Sequence, residues 1–279
     1  MPYIARCCLH DVRKKLKIAL GVEYDGRQFC GWQIQEGNRT VQACVEQALS
    51  RVADHPVRTI CAGRTDARVH ALGQVIHFET SARRSMHSWV FGATANLPAD
   101  ICARWALEVP NHFSARYSAL RRHYRYIIFN KRVRPAVAAH QMSWDYRPLD
   151  EHRMSRAAAY LLGEHDFSSY RAYACQSRSP VRTIYRLDVV RREHYVMIDI
   201  EANAFLHHMV RNIAGVLLTI GAGEQPVAWV QEVLEQRDRK KGGLTAPPQG
   251  LYLMNVIYPV EFALPETDRA LMFRDYLRL

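Results

Sequence analysis

Apolar side chains fall at every second position through Leu16, Ile18, Leu20, Val22 and Tyr24, a period that predicts a strand. Val41, Cys44, Val45, Ala48, Leu49 and Val52 then recur at three- and four-residue steps, which predicts a helix. A short strand at 57–61, a polar turn and a strand at 74–78 follow. Residues 86–96 have helical spacing and stop before Pro98, and 101–109 alternate again. The first half therefore predicts the order β-α-β-β-α-β.

The second half resembles it in order. It predicts a strand at 124–129, a helix at 150–162 ended by Gly163, strands at 184–190 and 195–201 around a turn, helices at 205–219 and 227–237, and a last strand at 251–257. Residues 240–250, with Gly242, Gly243, Pro247 and Pro248, predict a flexible connector. Helices mixed with consecutive, hairpin-like strands predict an α+β fold with a largely antiparallel sheet, divided near residues 110–120.

The 279 residues, 48% hydrophobic and 23% charged, suit a folded protein of one large or two modest domains. The longest apolar run, 213–223, is too short to span a bilayer, and the amino-terminal residues have no apolar stretch of secretory length. Membrane and secreted classes are excluded on this reading. Seven cysteines with no C-x-x-C pair argue against a disulfide framework and a zinc knuckle, and for reduced thiols in a cytoplasmic protein.

The formal charge of +11 points to an acidic partner, and its distribution narrows the choice. Between Glu108 and Asp145 lie Arg116, Arg121, Arg122, Arg125, Lys131, Arg132 and Arg134, interleaved with Tyr117, Tyr124, Tyr126 and Phe129 and with no acid. Between Asp166 and Asp188 lie Arg171, Arg178, Arg182 and Arg186 with Tyr170, Tyr173 and Tyr185. Arginine forks bind phosphate bidentately and tyrosine faces accept unstacked bases. Either stretch alone is equally a solvated strand face with core tyrosines; the two together favour a polynucleotide.

Residues 61–71, Cys-Ala-Gly-Arg-Thr-Asp-Ala-Arg-Val-His-Ala, form a polar turn between two apolar strands, where a rigid scaffold can present side chains to a ligand. Asp66 stands between Arg64 and Arg68, so its pKa should be lowered and the carboxylate ionised, as suits a nucleophile or an electrostatic stabiliser. On spacing alone, a turn-capping aspartate with an arginine partner is the commoner use of such a residue.

Gly63-Arg-Thr-Asp-Ala-x-Val-His-Ala resembles the signature of the tRNA pseudouridine synthase A family. Glu23-Tyr-Asp-Gly-x-x-Phe-x-Gly-Trp-Gln-x-Gln, Phe113-Ser-Ala-Arg-Tyr-Ser-Ala with Tyr124-Arg-Tyr-Ile-Ile, Ala202-Asn-Ala-Phe-Leu-His-His-Met-Val-Arg-Asn-Ile-x-Gly and Gly250-Leu-Tyr-Leu resemble further segments of that family, in its order, from about residue 15 to 260.

The resemblance implies isomerisation of uridine to pseudouridine at positions 38–40 of the tRNA anticodon stem-loop, with no cofactor and no metal, by a homodimer. It also implies two similar halves, 14–115 and 116–265, forming one continuous, mainly antiparallel sheet with helices on one face and a basic cleft between them. Residues 1–13 and 266–279 are then terminal extensions, and 268–279 has the pattern of a short amphipathic helix. Asp66 is the implied catalytic residue. Tyr124 is expected to stack on the flipped base with its phenol placed for a late proton transfer. Arg64 is expected to pair with Asp66 or to fill the vacated stack, and Arg211 to pair with the carboxylate across the cleft. Arg121, Arg122, Arg125, Arg178 and Arg182 are expected to meet tRNA.

Two features stand apart from that pattern. The family has glycine where this chain has Arg68; if the position needs a positive φ, arginine there costs about 1–2 kcal/mol. That leaves an alternative, a catalytically impaired tRNA-binding module. His207 and His208 are adjacent, so a helix would point them about 100° apart and they would not chelate one ion together. His70 and His77 belong to no ligand motif.

Overall fold

The computed structural model describes residues 15–265. The expected extensions at 1–13 and 266–279, the helix expected at 268–279, and Cys7 and Cys8 lie outside the described residues.

β1 (Leu16–Tyr24) carries the first alternating pattern and is paired antiparallel on both edges, with β3 (His70–Thr80) and β4 (Ile101–Glu108). α1 (Val41–Ala53) and α2 (Met86–Asn96) connect these strands, and the short β2 (Thr59–Cys61) pairs with β3. The second half supplies β5 (Arg121–Asn130), β6 (Ser143–Asp145), α3 (Glu151–Ala159), β7 (Gly163–Asp166), β8 (Val181–Arg192), β9 (Tyr195–Ala202), α4 (Met209–Gly221), α5 (Trp229–Gln236) and β10 (Leu251–Ile257). All ten strands join one sheet in the order β4-β1-β3-β10-β5-β9-β8-β7, with β2 and β6 as side pairs. It is the expected α+β, mainly antiparallel, continuous sheet. Its two stretches meet where β10 lies parallel to β3, with Tyr252 opposite His70 and Leu253 opposite Ala71.

Alternation along the strands separates two cores. Tyr124, Tyr126 and Ile128 of β5 and Leu251 and Leu253 of β10 face the large one, which holds buried apolar residues of all five helices. Ile127, Tyr252 and Met254 face a small cluster with Leu72, Met142 and Met197, to which no helix among the described residues contributes. The helices therefore cover one face, as expected. Register sets a row across that face: Tyr24 opposite Ala71, Leu253 opposite Ala71 and opposite Tyr124, and Tyr124 opposite Ile200.

Departures from the sequence reading have local causes. β3 runs beyond the expected 74–78 because residues 70–78 are all buried, which hides the alternation. The short polar strands β6 and β7 carry too little pattern to read. α3 ends at Ala159, not at 162, and Gly163 (φ +93°) opens β7. α4 begins at Met209, not at 205, because His208 sits at φ +62°, outside the helical region. The expected flexible connector at 240–250 is packed: a Cβ on Gly215 of α4 would lie 1.8 Å from the Leu244 carbonyl, and Ala246 is buried. The five described cysteines are all free thiols. Among the described residues no helix is long and apolar enough to cross a membrane.

Gly31 gives a direct test of close packing. Its φ is +90°, and a Cβ there would stand 2.7 Å from the Thr65 carbonyl oxygen, whereas Gly37 (φ +72°) has nothing within 4 Å. Gly31→Ala should lower stability to urea by about 2–4 kcal/mol and Gly37→Ala by about 1 kcal/mol, the difference being the contact with the loop at 62–69.

Candidate active site

The turn that presents Asp66 has no regular structure of its own, so other segments must fix it. The segment after β1 does this from one side. Tyr24 Oη and Thr65 Oγ1 are hydrogen-bonded at 2.8 Å, Trp32 N donates to Thr65 O at 3.0 Å, and Arg68 N donates to Phe29 O at 3.2 Å. Gly26 lets that backbone approach so closely that a Cβ would lie 2.0 Å from Val69 O. From the other side Gln74 Nε2 donates to Gly63 O at 2.7 Å, and Arg122 Nη2 donates to Ala62 O at 3.0 Å. The loop ends in a turn in which Val69 N donates to Asp66 O at 3.2 Å, with Arg68 at its third position.

The carboxylate that emerges is only 18% exposed and meets the amino end of α4. Arg211 Nη1 donates to Oδ2 at 3.2 Å, His207 Nε2 lies 3.4 Å from Oδ1 and His208 Nε2 lies 3.5 Å from Oδ2. Burial works to raise the Asp66 pKa, but the His207 hydrogen bond and the charges of His208, His207 and Arg211 outweigh it and hold the group below the usual carboxylate value. The expected ionised aspartate is present, with a different cause: its counter-charges come from Arg211 of α4 and from the two histidines that precede the helix, and neither Arg64 nor Arg68 forms an ion pair with it.

The same contact raises His207 above the usual imidazole value, through its hydrogen bond to Asp66. His208 goes the other way, since burial disfavours its cation more than Asp66 favours it. The Asp66 contribution to stability is present above about pH 4 and fades as pH falls through its lowered pKa. The His207 contribution is complete below about pH 6.5 and fades as pH rises through its raised one. Both are in force between those limits.

Arg211 is itself held: Nε donates to Ala246 O at 2.8 Å, and Ala246 N donates to the Arg211 carbonyl at 3.0 Å. The neighbouring Asn212 is fully buried, donates to Tyr170 O and accepts from Thr245 Oγ1 and Arg239 Nη2. These bonds pin the 240–250 segment to α4.

The other residues singled out in the sequence separate into distinct settings. Tyr124 projects from β5 beside this loop; it is 7% exposed, packs edge-on against Phe205 at 5.0 Å, and its hydroxyl makes no hydrogen bond with any described residue. Burial, reinforced by the Asp66 charge, pushes its phenol far above the ordinary value. Arg64 is exposed on the loop with no ion pair among the described residues. Arg121 reaches Glu201 at 2.9 Å and stacks over Tyr185. Arg125 pairs with the buried Asp199, which His123 also contacts at 2.6 Å. Arg178 is exposed; Arg182 is half-buried and bonds the carbonyls of Ser179 and Val181 and the Ser177 hydroxyl.

Arg122 departs from the expectation of a tRNA contact. It is 9% exposed and donates to the carbonyls of Ala62, Ala119, Asn203 and Arg116, so its guanidinium joins the loop, β5 and the segment before α4 from within. Arg68 has φ +65°, the positive value whose cost the sequence raised; its exposed side chain has no ion pair among the described residues.

The histidine pair also departs from expectation. Because His208 precedes α4 in a left-handed conformation, the two rings lie 4.0 Å apart and both turn to Asp66. The nearest potential ligand atoms of Asp66, His207 and His208 lie within 4.8 Å of one another, so the argument from helical divergence does not apply. The Arg211 guanidinium at Oδ2 supplies a different objection, since it opposes a dication at the same carboxylate. His70 and His77 serve packing: His70 stacks on Tyr252 and bonds His140 O, while His77 accepts from Ala115 N and is lowered to about 4 by burial and Lys17. Residue patterns alone gave no role to His207, His208 or Ala246, and the doubled histidine was the only visible signal.

Comparison of the sequence with known proteins matches the chain to a family. A family model described as tRNA pseudouridine synthase matches residues 21–118 and 157–259. A tRNA pseudouridine synthase A of Methylococcus capsulatus is 59% identical over 249 residues, 89% of this chain and 92% of that one. The proteins of the same name from Coxiella burnetii and Pseudomonas aeruginosa are each 57% identical, over 89% and 90% of this chain and 95% and 88% of theirs. With matches of this identity and extent, the chain belongs to the tRNA pseudouridine synthase family.

Proposed function

We propose that this protein isomerises uridine to pseudouridine at positions 38–40 of the tRNA anticodon stem-loop, with Asp66 as the group that initiates the reaction. The observation that carries the reading is an ionised, largely buried carboxylate at the junction of the two sheet stretches, held by Arg211 and His207. The reaction breaks N1–C1′ and forms C5–C1′ with no net gain or loss of atoms, so atom balance demands no redox or group-transfer cofactor. An anionic Asp66 can begin it by adding to the pyrimidine ring or by assisting at C1′.

The target uridine must leave its stack to reach the carboxylate. Tyr124 offers its ring to the extruded base, and Arg64, exposed on the same loop, is available to occupy the vacated stack. Arg211 holds Asp66 ionised and aimed. Arg121, Arg125, Arg178 and Arg182 are the proposed tRNA contacts. Arg122 is given to the loop in this reading. The halves 14–115 and 116–265 form the walls of the cleft, a homodimer is the working assembly and the cytoplasm its setting. The free thiols are compatible with that setting, and the family resemblance supports the dimer.

The impaired-module alternative rested on Arg68. Its side chain is exposed and pairs with no described residue, so strain is its one visible liability. Arg68→Gly should relieve about 1–2 kcal/mol of left-handed strain, less about 0.4–1 kcal/mol for the greater freedom of unfolded glycine, and leave turnover unchanged. A gain of activity would revive the alternative.

Incubation with tRNA bearing U38–U40, without added cofactor, should yield pseudouridine detectable by chemical mapping; no product at stoichiometric enzyme would reject the function. Asp66→Asn should lower turnover by about 10⁴-fold or more while tRNA affinity stays within a few-fold. The same variant removes the charge that raises His207. In an NMR titration the His207 imidazole should therefore deprotonate at lower pH in Asp66→Asn than in the wild type.

A further inference from the structure

Asp66 and His207 stand on two stretches without regular structure, and the 3.4 Å contact between them requires both stretches to be fixed. Arg211 reaches the same carboxylate from within α4 and has its own anchor at Ala246. His207 lies ahead of that helix, on the stretch that follows β9.

We propose that Arg122 is the positioning residue for the Asp66–His207 contact, a single guanidinium that fastens the Asp66 loop and the stretch before α4 to β5. The proposal rests on the isomerase reading above. Arg122 Nη2 donates to Ala62 O at 3.0 Å, and Nη1 donates to Asn203 O at 2.8 Å. Ala62 stands four residues before Asp66, and Asn203 stands four residues before His207. Nε also reaches Ala62 O at 3.4 Å, Nη2 donates to Arg116 O at 2.7 Å, and Nη1 donates to Ala119 O at 3.0 Å. An arginine has five N–H groups, and these five contacts engage every nitrogen of the fork. All four carbonyls lie outside the helices and strands.

The chemistry of the side chain points the same way. Arg122 is 9% exposed and forms no ion pair with a carboxylate among the described residues. A buried cation without a carboxylate is costly, and filled donors are what make it tolerable. Neither charge pairing nor an exposed phosphate contact accounts for such a residue. Geometry does. A planar fork bonds carbonyls in several directions at once, and lysine, with three donors on one nitrogen, does not reproduce it.

β5 is a firm base for the fork, because β10 and β9 pair with it along its two edges. Alternation puts Arg122 and Tyr124 on the same face of this strand. One strand therefore carries the ring offered to the extruded base and the guanidinium that sets Asp66 against His207.

The test compares Arg122→Lys, which keeps the charge and removes the fork, with Arg122→Gln, which removes both. Each is made in the full-length protein, and urea unfolding establishes that it folds. We expect kcat on tRNA to fall about 10–100-fold, with KM within a few-fold and the salt dependence of affinity at its wild-type slope. In an NMR titration the His207 midpoint should move down toward its position in Asp66→Asn, because His207 owes its raised value to Asp66. A variant that is only less stable keeps the wild-type midpoint while it remains folded, so the titration separates positioning from general support of the fold. An unshifted His207 midpoint, or kcat within a few-fold of wild type, overturns the proposal. So does a weaker and less salt-dependent affinity at unchanged kcat, which would make Arg122 a phosphate contact. Failure of Arg122→Lys to fold overturns it as well, since the guanidinium would then be a requirement of the fold and not of the site. Wild-type protein that makes no pseudouridine removes the isomerase reading and this proposal with it; a normal wild type beside an Arg122→Lys with unshifted His207 removes this proposal alone.

Discussion

A carboxylate taken largely out of water stays ionised only if something replaces its hydration, and that constraint organises this molecule. Asp66 loses solvent in the loop before β3 and recovers it as three nitrogen contacts from residues around the amino end of α4. The helix contributes its own positive end at the same place. Meeting the constraint requires two regions of chain 145 residues apart to be fixed relative to one another. The β3–β10 junction brings their strands together, and Ala246 holds the Arg211 guanidinium that completes the contact.

The rigidity required on the loop side explains why the segment after β1 reads as it does. Tyr24, Phe29 and Trp32 are buried, while Gly26 and Gly31 occupy places where a Cβ would collide with the loop backbone. The loop's own hydrogen-bonding groups are met by these residues, by Gln74 and by Arg122. A short turn held on both sides can carry a charged side chain without regular structure of its own, which is the usual relation between a functional loop and its scaffold.

Much of the fold was legible because it follows from local periodicity: β1, α1, α2, β9 and β10 are where alternation or helical spacing placed them. The loop with Asp66 was legible through its resemblance to a family signature, and its ionisation through the neighbouring arginines, although those arginines are not the cause. What was hidden depends on long-range contact or on a backbone angle that side-chain type does not disclose. A non-glycine residue at positive φ, such as His208, leaves no periodic mark. The long stretch of arginines around β5 likewise reads as uniform charge, and only burial separates Arg122, with its carbonyl partners, from Arg121 at the surface.

That separation changes what the net charge of +11 means. Arg122 and Arg211 hold groups of the fold: loop carbonyls and the Asp66 carboxylate. Guanidinium suits this work because it stays charged at any physiological pH and its fork bonds several oxygens at once. Arg64 and Arg178, with no ion pair among the described residues, remain open to an incoming phosphate or base. Neutralising a surface arginine and neutralising Arg122 therefore act on different links of the chain from sequence to function. The first weakens attraction to an anionic partner and its dependence on salt. The second loosens the loop that aims Asp66, and no ionic strength compensates for it.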